Sequence, residues 1–186
     1  MKFKCIRLIV VALSTIISLF TTQVRADSGI VLGFETSSGG DTIAEFSDGT
    51  SQDMGDGVGI YAGYQHALAD SEFTFHGTIG YSFDDPDVVN GSTEIERIRI
   101  QLTISRDFEP HQIGVGMDIH KNVELTQRVG SDMAELKFDD AIGGALQYAY
   151  HVNNIRVGLR YVDIEYEINT QMFDASNFGV FVDWVF

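Results

Sequence analysis

The feature that most constrains this chain is its last stretch, Asn177-Phe178-Gly179-Val180-Phe181-Val182-Asp183-Trp184-Val185-Phe186. With a period of two, Phe178, Val180, Val182, Trp184 and Phe186 share one face, and Asn177, Gly179, Phe181, Asp183 and Val185 share the other. That pattern predicts a strand. An apolar face that closes on Trp184 and Phe186 suits a surface that meets lipid and finishes at a membrane interface, where amphipathic rings gather.

The amino terminus points to the same compartment. Lys2, Lys4 and Arg7 precede the apolar run from Leu8 to Phe20, and Val24-Arg25-Ala26 supplies a cleavage-site pattern, so residues 1–26 are expected to be a signal peptide and residues 27–186 the mature domain. The run is short of the roughly 20 residues that a membrane-spanning helix needs. Cys5 is the only cysteine and lies in this leader, which leaves no disulfide, thiol nucleophile or thiolate metal site in the mature chain.

Composition narrows the function classes. The mature chain keeps eight Lys and Arg against 27 Asp and Glu, a net charge of −19, so it lacks the basic footprint needed to bind nucleic acid. Proline is confined to Pro86 and Pro110, and no stretch after the leader is apolar for 18 residues, which excludes a helical membrane protein.

The period of two recurs along the chain. It predicts strands at about Gly29 to Thr36, Gly57 to Leu68, Phe73 to Phe83, Arg97 to Ser105, Gln112 to His120, Ala141 to Tyr150, Ile155 to Tyr161 and Asn177 to Phe186. Beyond Tyr161 the apolar and polar phases exchange, since Asp163, Glu165 and Glu167 take the odd positions, so the pattern predicts a bulge near Tyr161-Val162 or an extension above the membrane where facing ceases to matter. The connections alternate between long segments (Ser37 to Asp56, Asp84 to Thr93 with its Asn90-Gly91 turn, Lys121 to Glu135, Thr170 to Ser176) and short turns at Ala69-Asp70-Ser71, Glu109-Pro110 and Asn153-Asn154. Transmembrane barrels have this asymmetry, with short turns facing the periplasm and longer loops outside.

A soluble barrel would alternate in the same way with its faces reversed, so the side-chain types must decide. A wet outer wall should be rich in lysine, yet the mature chain has only Lys121 and Lys137, both in or beside a loop. The polar face carries Gly, Ala, Thr, Gln and charges of both signs, which suits the crowded interior of an eight-stranded barrel. The terminal Phe186, with an aromatic two residues earlier at Trp184, resembles the closing strand of bacterial outer-membrane barrels. One position departs from the family pattern, which often has Gly where this chain has Phe181. Over the whole mature chain the pattern is similar to small eight-stranded outer-membrane proteins of the OmpA and OmpX type. The expected fold is therefore an all-β, eight-stranded antiparallel up-and-down transmembrane β-barrel preceded by a cleaved signal peptide.

The resemblance implies integral residence in a bacterial outer membrane and contact with its lipid and lipopolysaccharide. It also implies transient partnership with periplasmic chaperones and the barrel-assembly machinery, for which Trp184 and Phe186 form the carboxyl-terminal insertion signal. The fold is nearly silent on activity. The polar interior is expected to hold Glu35, Arg97, Arg99, Asp118, His120, Arg156, Arg160 and Asp183, with Asp183 near Arg156 or Arg160 and Asp118 or His120 near Arg99. Each arginine should be paired, because a buried cation without a partner is costly.

Catalytic and metal readings find little support. His76 and Ser82 face the lumen but stand roughly 20 Å apart along one strand, too far to act together. His120 could reach a loop serine such as Ser131. The His-Ser motif of lipid A deacylases and the amphipathic helix of palmitoyltransferase barrels are absent, and Asp48, Asp53 and Asp56 lack the spacing of a calcium loop. The expectation is a non-enzymatic barrel without cofactor or metal, acting structurally or through its acidic loops. A narrow channel for small molecules and a lipid-modifying hydrolase are the alternatives.

Overall fold

A strand that is apolar on one face and polar on the other must place each face in its own environment, and in a membrane it must also leave no unpaired edge. The computed structural model describes residues 28–45, 49, 51–69, 71–88, 91–129 and 132–186. Residues 1–27, with Cys5 and the expected signal peptide, and Asp48, Asp70, Asn90 and Ser131, lie outside the described residues. Eight long strands meet both demands: β1 (Ser28–Ser38), β2 (Gly57–Ala67), β3 (Phe73–Asp84), β4 (Gly91–Phe108), β5 (His111–Val129), β6 (Ala141–Val152), β7 (Ile155–Asp163) and β8 (Asn177–Val185). Each pairs antiparallel with its sequence neighbours, and β8 returns to β1, so the sheet closes into an up-and-down barrel. Phe186 completes the seam by exchanging backbone hydrogen bonds with Ile30.

The apolar faces point outward. Ile60, Ile79 and Ile142 are 66%, 58% and 68% exposed on the outer wall, while Arg97, Asp118 and Asp183 are 2%, 0% and 1% exposed inside. Phe181, at the position where the family pattern often has glycine, points inward. Its ring fills the space above Gly158 on β7, where a Cβ would stand 2.4 Å from Phe181 Cζ. Tyr61 covers Gly33 in the same way, so inward aromatics on one strand are seated on glycines of the next.

The two longest strands correct the sequence reading. The described residues of Lys121 to Glu135 are strand and not loop: β5 has 19 residues and β4 has 18, about twice the 9–11 residues that cross a bilayer as a strand. Beyond the membrane they continue as a raised sheet that Asp132–Lys137 extends by pairing with β5. Two further hairpins stand at this end, Thr42–Glu45 with Ser51–Asp53 and Glu165–Ile168 with Gln171–Asp174. At the opposite end the barrel strands are joined by the short connections 68–72, 109–110 and 153–154.

No bulge interrupts Tyr161-Val162, where register with both β6 and β8 is continuous. The bulge lies instead in β5, where the partners of Glu96 and Ile98 step from Glu124 to Lys121, leaving one extra residue on β5, and where Asn122 has φ 51°. On β7 and its continuation the facing never changes. Val162, Ile164 and Tyr166 stay inside and Asp163, Glu165 and Glu167 stay outside; what changes is the chemistry of the outer face, apolar at Val157, Leu159 and Tyr161 and acidic from Asp163 on.

Candidate functional site

The interior is built in layers. Nearest the short turns, Arg156 on β7 and Asp183 on β8 are register partners, and the guanidinium grips the carboxylate with two bonds, Nε to Oδ1 and Nη2 to Oδ2, each 2.8 Å. The Tyr61 hydroxyl donates to the same carboxylate at 3.0 Å, and Arg156 Nη1 donates to Gln112 Oε1 at 3.1 Å. Below this pair the barrel opens into a cavity of about 400 Å³ lined by Gln65, Thr74, Asp107, Gln112, His151 and Arg156 among others.

The middle layer is a chain of alternating charge. Arg99 bonds Asp118 with one guanidinium nitrogen and Glu35 with the other. Glu35 also accepts from Arg160 at 2.6 Å, so one carboxylate joins two arginines. Gln101 adds a donor to Asp118 at 3.1 Å, Gln147 accepts from Arg160 Nη2 at 3.1 Å, and the Arg160 guanidinium stacks 4.8 Å from the Phe181 ring centroid. The remaining void beside Glu35, Arg99 and Arg160 is about 10 Å³, room for no more than about one water.

Above this layer, Tyr166, His120 and Asp118 lie in sequence. The Tyr166 hydroxyl hydrogen-bonds His120 Nδ1, and His120 Nε2 stands 3.2 Å from Asp118 Oδ1. The order matches nucleophile, base and orienting acid. All three side chains are fully buried, however, and the Tyr166 oxygen is already engaged as an acceptor from Arg97 Nη1 at 3.0 Å. Burial pushes the Tyr166 hydroxyl above its ordinary pKa, which keeps it a protonated donor and not a nucleophile. The arrangement holds the interior together and offers a substrate no access.

Arg97 differs from the pairing expected for it. Its partners are the backbone carbonyls of Met54 at 2.8 Å, Gly55 at 3.3 Å and Asp56, together with the Tyr166 hydroxyl, and not an acid. Arg97 thereby folds the turn after Ser51–Asp53 down into the barrel. Met54 enters an apolar cap with Ile95, Val123, Leu125, Phe138, Val162, Ile164 and Ala175.

The eight residues expected inside are therefore all buried, six of them in one connected set with the Arg156 and Asp183 pair below it. Tyr61, Tyr166, Gln112 and the Met54 carbonyl were not on that list. Tyr166 could have been found by carrying the β7 alternation past Tyr161; a backbone carbonyl leaves no signal in a sequence. His76 contacts Arg156 and not Ser82, with Nδ1 at 3.0 Å from Nη1. Among the described residues no group of three or more His, Cys, Asp or Glu is placed to hold a metal ion.

A closed eight-stranded barrel with an apolar outer wall and a charged, filled interior is the architecture of a small transmembrane β-barrel of the bacterial outer membrane. Solved structures of such proteins match it. Ail, the attachment invasion locus protein of Yersinia pestis, aligns over 86% of this chain and 97% of its own with a TM-score of 0.58 at 8% identity. Ail in complex with the heparin analogue sucrose octasulfate aligns over the same shares with a TM-score of 0.50 at 13% identity. Neisserial surface protein A aligns over 87% of this chain and 98% of its own, with a TM-score of 0.51 at 14% identity. At these identities the likeness is one of fold. No protein-family model matches the chain, and no curated protein does.

Proposed function

We propose that this protein is a non-enzymatic, plugged barrel of the outer membrane that works through the acidic surface it raises above the lipid. It is exported with residues 1–26 as a cleaved signal peptide and inserted with the help of chaperones and the assembly machinery that read Trp184 and Phe186. The observation that carries the reading is the closure of the interior at two successive levels, the layer of Glu35, Arg99, Asp118 and Arg160 and the apolar cap around Met54 and Tyr166. A charge layer of this kind resists ion passage unless it is rearranged. Above the apolar wall the exposed side chains include Asp41, Glu45, Asp132, Glu135, Asp163, Glu165 and Glu167 against Lys121, Arg128 and Lys137. This sign favours cationic or neutral partners and opposes polyanions such as the sulfated ligand held by Ail.

Two measurements test the reading. Refolded protein in planar bilayers should show no openings above baseline, and steady conductance would overturn the plug. Cells displaying the barrel with the 42–53 hairpin shortened should lose surface binding to a cationic polypeptide such as polylysine, and undiminished binding would remove the role of that acidic surface.

A further inference from the structure

The apolar outer wall carries one cationic side chain at the end with short turns. Among the described residues Arg106 on β4 is the only Lys or Arg side chain on the outside of this rim, since Arg156, Arg160, Arg99 and Arg97 are inside and Lys121, Arg128 and Lys137 stand at the far end. Arg106 is half exposed and lies over the Phe108 ring, 4.7 Å from its centroid. Phe108 is the register partner of His111 on β5. His111 Nδ1 hydrogen-bonds the Tyr148 hydroxyl at 2.7 Å, and its ring meets Tyr150 edge to face at 5.4 Å. A guanidinium, an imidazole and two phenols thus form one outward patch around Ile113 on β4, β5 and β6, directly below the lipid-facing row of Ile104, Val115 and Leu146.

We propose that this patch binds the phosphate-bearing headgroup of an inner-leaflet phospholipid. The inference rests on the membrane reading above and gives that membrane contact a specific site. Short turns face the periplasm, so the patch lies at the depth of the inner-leaflet headgroups, and its position is continuous with the lipid interface of the wall. A phosphate offers charge-assisted acceptors to Arg106 and to the one donor that the His111–Tyr148 hydrogen bond leaves free, and its acyl chains run up over Ile104 and Val115. The present partner of Arg106, Glu72 at 2.7 Å, is itself 64% exposed, and an exposed pair of this kind holds its arginine weakly. Beside a bound phosphate the Glu72 carboxylate would face the ammonium of an ethanolamine headgroup.

The test is native mass spectrometry of the detergent-purified barrel titrated with dimyristoyl phosphatidylethanolamine, phosphatidylglycerol or dimyristoyl glycerol. Wild type should retain one phospholipid, and Arg106→Gln should weaken that retention about tenfold, as loss of one charge-assisted contact does. Tyr148→Phe should weaken it less, and Lys121→Gln, at the far rim, should leave it unchanged. Heat-modified mobility on gels reports whether each variant is folded. Preference for phosphatidylethanolamine over phosphatidylglycerol would assign Glu72 to the ammonium, and parity between them would remove that detail. Retention of dimyristoyl glycerol as strong as that of the phospholipids, or equal phospholipid retention by wild type and Arg106→Gln, would overturn the site. Failure of the protein to enter vesicles at all would instead strike the membrane reading on which the site depends.

Discussion

The lower and upper parts of β7 present the same geometry to opposite surroundings. Within the membrane, Arg156 and Arg160 face the interior and Val157, Leu159 and Tyr161 face lipid; above it, Val162, Ile164 and Tyr166 face the interior while Asp163, Glu165 and Glu167 face water. The lower barrel is inside out and the upper barrel is an ordinary water-soluble protein with an apolar centre. A strand therefore does not choose which side chains are buried by polarity alone. It keeps its facing by backbone geometry, and the medium beyond the wall decides which chemistry each face requires.

The largest effect should come from the lower interior. Glu35 holds both Arg99 and Arg160, so Glu35→Ala leaves two buried guanidinium groups short of a partner and should remove about 3–5 kcal/mol of unfolding free energy, read from urea titrations in vesicles. On the outer wall of the same barrel the two halves can be set directly against each other. Leu159→Lys puts a charge against hydrocarbon and should lose about 2–4 kcal/mol, whereas Glu165→Lys, six residues on and with the same facing, should change stability by no more than about 0.5 kcal/mol. Equal losses at the two positions would erase the distinction between the halves.

Arg97 sits at the junction. Arg97→Met keeps the apolar stem and removes the donors to Met54, Gly55 and Asp56, so it should lose about 1.5–3 kcal/mol and expose the 51–57 turn to limited proteolysis. Unchanged cleavage would show that packing of Met54 alone holds the turn. The smallest effect concerns Asp84 at the upper rim, which accepts from Gln52 at 2.8 Å and whose carboxyl burial pushes above the usual range. Because its folded pKa is raised, the fold favours the protonated form. That contribution is complete below the unfolded pKa and is lost as pH rises through the folded one. Wild type should therefore decline relative to Asp84→Asn as pH climbs through the carboxylate range, and a gap of opposite slope would reverse the assignment.

The strand order, barrel closure and outward apolar wall were legible because they rest on a period of two and on connection lengths, which a sequence displays directly. Pairing neighbouring strands narrowed the charge partners to Arg156 or Arg160 for Asp183 and to Asp118 or His120 for Arg99, since register restricts which side chains can meet; the choice of Arg156 and of Asp118 is made by the structure. For the phase exchange beyond Tyr161 the sequence leaves two readings open, a bulge at Tyr161-Val162 or an extension above the membrane, and the unbroken register excludes the first. Val162, Ile164 and Tyr166 look like a phase slip only if lipid is taken to lie outside along the whole strand, and the true slip at Asn122 is hidden in a polar stretch where either phase looks alike. The Arg97 latch was illegible because its acceptors are backbone carbonyls, common to every residue.

The most direct test of this account is a spin-label scan of one outward row. Residues 27–186 contain no cysteine, so in that segment labels can be placed singly by Val157→Cys, Leu159→Cys, Tyr161→Cys, Asp163→Cys and Glu165→Cys in bilayers, and the collision rates with oxygen and with a water-soluble nickel chelate compared. The account predicts oxygen-dominated, lipid-facing labels at 157 and 159 and nickel-dominated labels at 163 and 165, with the crossover at Tyr161. Nickel access along the entire row, or none anywhere on it, would contradict it.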